Sequence, residues 1–172
     1  MTIATPRTLR TDSADQAYER VARSSHAQAA RLAQLLVQET QGDVLFGLAD
    51  RGRYATDASI YQQMPVGVLV PTQAQDVVTA LDICRGMGVP VVPRGGGTSQ
   101  CGQTVGTGLV IDHSKHMRRI LHLDVAERTV TVEPGIVLDH LNAALKPHGL
   151  WYPVDVSTSG QATLGGMAGN NS

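Results

Sequence analysis

Three consecutive glycines placed directly behind a short β-branched run constrain this chain more than any other feature. Val89 to Val92 reads as a strand, and Pro93-Arg94-Gly95-Gly96-Gly97-Thr98-Ser99-Gln100-Cys101-Gly102 follows it without a break. Residues lacking a Cβ reach backbone angles closed to others. Successive N–H groups in such a loop can converge on an anion, and Thr98 and Ser99 add hydroxyl donors. No Gly-Lys-Ser/Thr follows, so the loop is not the phosphate loop of ATP-binding proteins. Gly95 and Gly97 fit the dinucleotide fingerprint, but Gln100 stands where its third glycine belongs. No helical periodicity follows Gly102, so the helix terminus that both motifs rely on is missing as well. The loop alone leaves two readings open: a backbone cradle for phosphate, or a Gly-rich surface turn. Arg94 reads either as part of that cradle or as a structural ion-pair partner.

The surrounding pattern gives the loop a setting. Val66 to Val70 is a β-branched run ending at Pro71. Thr72-Gln73-Ala74-Gln75 has the form of a capping box, and Val77, Val78, Leu81 and Cys84 define one face of the helix it opens. Gly86 and Gly88 close that helix before the Val89 strand. Strand, helix and strand in so short a span predict a βαβ unit with parallel strands and a right-handed crossover. Upstream, Ser13 with Gln16 and Ser25 with Gln28 resemble capping boxes, and Ala17, Val21, Ala29, Leu32, Leu35 and Leu36 recur at helical spacing. They predict a helix from about Ala14 to Gln38, broken near Ser24-Ser25 and ended by Gly42. Asp43 to Gln63 reads as irregular. Downstream, Leu109 to Asp112, Ile120 to Leu123 and Val130 to Glu133 read as strands. Ile136 to Leu145 reads as a helix with Val137, Leu141 and Leu145 on one face, ended by Pro147 and Gly149. Pro153 to Thr163 reads as a loop. A second small-residue loop, Thr163-Leu164-Gly165-Gly166-Met167-Ala168-Gly169-Asn170-Asn171, lies about sixty residues beyond the first. Together the two loops suit an extended dinucleotide better than either does alone.

Composition narrows the function classes. Of 172 residues, 42% are apolar and 17% charged, enough for one folded domain with a core. A formal net charge of -1 leaves no basic excess to hold a nucleic-acid backbone, which argues against that partner. Cys84 and Cys101 make neither a disulfide framework nor a zinc pattern, and no metal site is expected. No signal-peptide core and no apolar run of membrane-spanning length are present. These features predict a soluble chain from a reducing compartment, the cytoplasm. The stop within Gly165 to Ser172, in a Gly-rich segment, reads as a truncation.

Pro93 to Ser99, then Val132-Glu133-Pro134-Gly135, then Thr163 to Asn171 together resemble the FAD-linked oxidases of the vanillyl-alcohol oxidase superfamily, with its PCMH-type FAD-binding domain. The branch most resembled is that of D-lactate, glycolate and D-2-hydroxyglutarate dehydrogenases. Arg53-Tyr54-Ala55-Thr56-Asp57-Ala58-Ser59-Ile60-Tyr61 is similar to members that carry an iron–sulfur module further along.

The resemblance implies an α+β, PCMH-type FAD-binding fold. Residues 1–62 would be a helical segment and irregular lead-in, 63–117 a first FAD-binding subdomain with the βαβ unit, and 118–172 the incomplete beginning of a second, mostly antiparallel one. It implies that Pro93, Arg94, Gly95, Gly96, Gly97, Thr98, Ser99 and Gly102 wrap the pyrophosphate. It places Thr163, Leu164, Gly165, Gly166, Ala168 and Asn171 along the flavin side, with Pro153, Asp155 and Ser157 in the loop before them. Thr98 and Ser99 stand where several relatives carry the histidine that anchors flavin, so the FAD is expected to be non-covalent. The implied partners are a small hydroxy-acid substrate and an electron acceptor of unknown identity, with an iron–sulfur module among the candidates. An unfinished sheet edge leaves room for a homodimer. Groups that bind substrate and take its proton would come from a cap domain outside this sequence. His113, His116 and His122 form no recognisable site, and no catalytic residue is nominated. The chain by itself is expected to lack dehydrogenase turnover and to bind FAD weakly or not at all.

Overall fold

The computed structural model describes residues 12–172. Its first layer is a four-stranded sheet. Strand β1 (Asp43–Leu45) runs antiparallel to β2 (Gly67–Val70), with Asp43 opposite Val70. Strands β3 (Val91–Arg94) and β4 (Leu109–Asp112) lie parallel to each other, and β4 is parallel to β2. The order is β1-β2-β4-β3. The βαβ strands are therefore parallel as read, but β4 is inserted between them. β2 and β4 are buried along their whole length, as expected where both sheet faces are covered.

Helices cover one face. Helix α1 (Asp12–Glu39) places Leu32 and Leu36, one turn apart and fully buried, on the same core as Leu69, Leu109 and Ile111. It runs unbroken through Ser24-Ser25, contrary to the sequence expectation. The side chain of Ser13 in the first capping-box reading lies outside the described residues. Helix α3 (Ala74–Met87) adds Ala80 and Cys84, with Val77, Ile83 and Met87 at the margin. Val78 and Leu81, read from the sequence as core-facing, are 50% and 40% exposed. The residues following Asp43 are not irregular throughout: they form β1 and a short helix, α2 (Leu48–Arg53). On the opposite face, Val68, Val70 and Val110 pack against Leu45, Tyr54 and Val92.

The start of α3 shows how this layer is fastened. Gln75 makes no capping bond there; Asp76 does the work instead. Its carboxylate accepts from the Thr72 N–H at 2.9 Å, the Gln41 N–H at 3.0 Å, the Thr72 hydroxyl at 3.1 Å and the Gln73 amide at 3.2 Å. Burial acts to raise its pKa, but those hydrogen bonds outweigh it and hold the group below the usual carboxylate range.

The second unit is a hairpin, β5 (Ile120–Asp124) against β6 (Thr129–Val132), with a register shift between Ile120 and His122. Helix α4 (Leu138–Leu145) buries Leu138, Leu141 and Leu145; Val137 precedes it as the N-cap. A 3₁₀ turn over Lys146–His148 follows, closed by Gly149 at φ +68°. Glu133, 6% exposed, accepts from the Arg119 N–H at 2.7 Å and from its guanidinium at 2.7 and 3.0 Å, pinning the hairpin's base. The Gly135 N–H donates to Met117 O at 2.8 Å and ties the two units together.

Candidate functional site

The Gly-rich loop starts at the carboxyl end of β3, where parallel strands open onto ligand sites. The second small-residue segment is not a loop, as the sequence suggested, but a short helix, α5 (Leu164–Gly169). Thr163 caps it, its hydroxyl oxygen accepting from the Gly166 N–H at 3.3 Å. Backbone bonds dock the segment beside α4: Leu164 N to Ile136 O at 2.9 Å, Gly165 N to Pro134 O at 2.8 Å and Leu138 N to Ala162 O at 3.0 Å.

These bonds press the second segment onto the first. A Cβ on Gly95 would lie 2.2 Å from the Thr163 hydroxyl oxygen, and one on Gly96 would lie 2.2 Å from Gln161 O. Two of the three glycines are thus demanded by close approach of chain to chain. The third, Gly97, is demanded by conformation, with φ at +68°. Among the described residues none accepts from the N–H groups of Gly95, Gly96 or Gly97.

A cavity of about 580 Å³ lies between the two segments. Pro93 to Ser99 line it on one side, and Ser157, Thr163, Gly165 and Gly166 on the other. Eleven of the residues singled out from the sequence therefore converge. Six do not reach the lining. Gly102 (φ +77°) is packed beneath the Tyr61 ring, and Leu164 is turned into the apolar cluster with Tyr152. Pro153, Asp155, Ala168 and Asn171 are exposed beside the cavity rather than in its wall. The wall also holds residues that the sequence did not flag, notably Gln103, Thr104, His113 and Asn170. The Gln103 amide donates to the Asn170 side-chain oxygen at 3.1 Å, a link from one segment to the other across 67 positions. No local pattern announces such a pair. His113 carries a buried Nδ1 with no hydrogen-bond partner. Burial lowers its pKa, against the opposing pull of Asp112.

A smaller space of about 380 Å³ adjoins the first and shares Arg94, Gly95 and Gly96 with it. Here the Tyr54 hydroxyl donates to the buried Asp112 carboxylate at 2.8 Å, and burial together with that bond pushes the phenol's pKa up. Of the other histidines, His122 is exposed on β5, and His116 lies 3.6 Å from Asp43 at the surface.

The donor set fits a pyrophosphate-bearing ligand. It offers unengaged amides on a loop without side chains, the Thr98 hydroxyl, and a facing wall of backbone and small residues. The Ser99 hydroxyl is engaged with Gln103 and would have to be shared.

Comparison with known proteins gives a consistent result. A sequence profile described as FAD binding domain matches residues 65–172. The chain is 43% identical over 136 residues to D-2-hydroxyglutarate dehydrogenase of Haemophilus influenzae, a match that covers 77% of this chain and 13% of that protein. It is 39% identical over 139 residues to the glycolate oxidase subunit GlcD of Bacillus subtilis, covering 78% of this chain and 29% of the other. A solved variant of Physcomitrella patens BBE-like 1 superposes with a TM-score of 0.67 at 23% identity, over 80% of this chain and 30% of that one. The chain thus spans little more than an eighth of the length of the first of these relatives.

Proposed function

The chain belongs to the FAD binding domain family, and from that premise we propose that it is the FAD-binding portion of a longer flavoenzyme that oxidises a D-2-hydroxy acid. The observation that carries the reading is the pair of facing segments, 93–99 and 157–166, around a cavity lined by free backbone donors. The relatives named for D-2-hydroxyglutarate, glycolate and D-lactate support the substrate class. Neighbours recognised by fold alone do not bear on it.

FAD, when bound, supplies the acceptor for the hydride leaving the substrate carbon. The chain's own share is binding and orientation. The amides of Gly95 to Gly97 and the Thr98 hydroxyl face the pyrophosphate and offset its charge. Thr163, Gly165 and Gly166, held through the Leu164 bond to Ile136 and the Gly165 bond to Pro134, form the opposite wall along the flavin side. Gly102, Pro153, Asp155, Leu164, Ala168 and Asn171 act by shaping these segments rather than by contact. Attachment is non-covalent, since Thr98 and Ser99 offer no imidazole to the ring. Division near residues 62 and 117 belongs to the same reading, as does a homodimer using an open sheet edge. The free thiols of Cys84 and Cys101 suit a cytoplasmic protein. Among the described residues no helix is long and apolar enough to cross a membrane.

The test is anaerobic addition of D-2-hydroxyglutarate, D-lactate or glycolate to a longer protein containing this sequence. Bleaching of bound flavin by one of them is expected. Bleaching only by a sugar or an aryl alcohol would overturn the substrate class, and a flavin-free protein would overturn the whole reading.

A further inference from the structure

The Arg94 side chain does not behave as a free cation at an anion site. Its Nη2 donates to Thr56 O at 2.9 Å and its Nη1 to Thr104 O at 3.2 Å. The guanidinium carbon lies 5.8 Å from the centroid of the Tyr54 ring, within cation–π range. A Cβ on Gly97 would sit 2.5 Å from Nη2, so the positive-φ glycine rests directly on the guanidinium. Among the described residues no carboxylate forms an ion pair with Arg94. The ion-pair alternative raised by the sequence therefore gives way to a fork onto two carbonyl oxygens.

The same contacts gather a strap. The Ala58 N–H donates to Gly97 O at 3.1 Å, and the Thr104 hydroxyl donates to the Asp57 carboxylate at 2.9 Å. Tyr54 is itself anchored through Asp112. Residues 54–58 thus run across the back of the glycine turn, with Arg94 joining turn and strap.

We propose that Arg94 is a positioning residue: it cross-links the Gly95–Gly97 turn to the 54–58 strap and to Thr104, keeping the turn's amides presented, and its cation does not contact the ligand's phosphate. The geometry explains why arginine is needed. Only a planar fork reaches two carbonyls and stacks on a ring at once; an ammonium does not.

The inference rests on the FAD reading only in the second arm of its test. In the first arm, ¹⁵N relaxation is measured on the ligand-free 172-residue chain. Order parameters at Gly95, Gly96, Gly97 and Ala58 are expected to be about 0.85 in the wild type and below about 0.6 in Arg94→Lys, with β2 and β4 unchanged. Unchanged values at the turn in Arg94→Lys overturn the proposal. Should that variant fail to fold, Arg94→Gln, which also removes the fork onto the Thr56 and Thr104 carbonyls, is expected to loosen Ala58 and Gly97 in the same way, and unchanged values there overturn the proposal equally. In the second arm, FAD affinity is expected to fall several-fold, by the same factor, in Arg94→Lys and Arg94→Gln. Full affinity in the lysine variant with loss in the glutamine variant would show that the charge is what matters and would overturn the proposal. Where the chain alone binds FAD too weakly to titrate, the second arm is run on a longer protein containing this sequence; a flavin-free longer protein counts against the FAD reading alone, because the first arm still decides the role of Arg94.

Discussion

At the scale of the residue, small and buried polar groups set the site. Gly95 needs no unusual backbone angle; it needs the absence of a Cβ that would strike the Thr163 hydroxyl at 2.2 Å. Gly95→Ala is expected to cost about 1–3 kcal/mol by overpacking and to part the two segments. Urea unfolding and FAD titration would both register the change. Asp76 is a stronger case, since all four groups bonded to its carboxylate donate. Asp76→Asn turns one acceptor oxygen into a donor facing donors and is expected to cost about 1–3 kcal/mol at neutral pH. Its pH dependence has a definite sign. The folded pKa of Asp76 is depressed, so its contribution is complete above the unfolded value of about 3.9 and disappears as pH falls through the lower folded value. Glu133 follows the same rule, held low chiefly by Arg119. Urea midpoints measured against pH should therefore begin to slip below about pH 6.5, where unfolded His113 takes up a proton that burial disfavours in the folded state, and drop further below about pH 4, with wild type and Asp76→Asn converging at the acid end.

At the scale of the element, the docking of α5 beside α4 shapes the cavity, and the docking of α1 onto the sheet builds the core. Leu36 lies fully buried between α1, α3 and the sheet. Leu36→Ala is expected to lower stability by about 2–5 kcal/mol, read from denaturant unfolding. Most elements were legible in the sequence, because strand runs such as 66–70 and 109–111 carry no polar side chain and are bounded by Pro, Gly or Asp. What escaped depended on distant partners. The insertion of β4 between β2 and β3 leaves no local trace. Neither does the joining of β1 to the sheet, since its partner β2 lies about 25 residues on. Segment 163–171 looked like a loop because glycines weaken helix propensity; the Thr163 cap, with the bonds of Leu164 to Ile136 and of Gly165 to Pro134, overrides that. The site was legible to the extent that it is backbone. The glycine loop could be found from its spacing, whereas Gln103 with Asn170, and the seat of Arg94 on Thr56 and Thr104, needed the fold to bring them together.

At the scale of the whole molecule, two units meet along a cavity whose walls come from residues about sixty positions apart. That arrangement suits a chain whose task is to hold FAD while the rest of a longer enzyme supplies the substrate site. The 172-residue chain is accordingly expected to show no turnover with D-2-hydroxyglutarate, measured by dye reduction with added FAD; turnover would place catalytic groups within this chain. The most direct check on the cradle itself is an NMR titration of the chain with FAD, which registers even weak binding. The account predicts that amide signals of Gly95 to Thr98 and of Thr163 to Gly166 move together along one binding curve, while NAD at the same concentrations moves neither set. Shifts confined to other parts of the chain, or equal shifts with NAD, would contradict it.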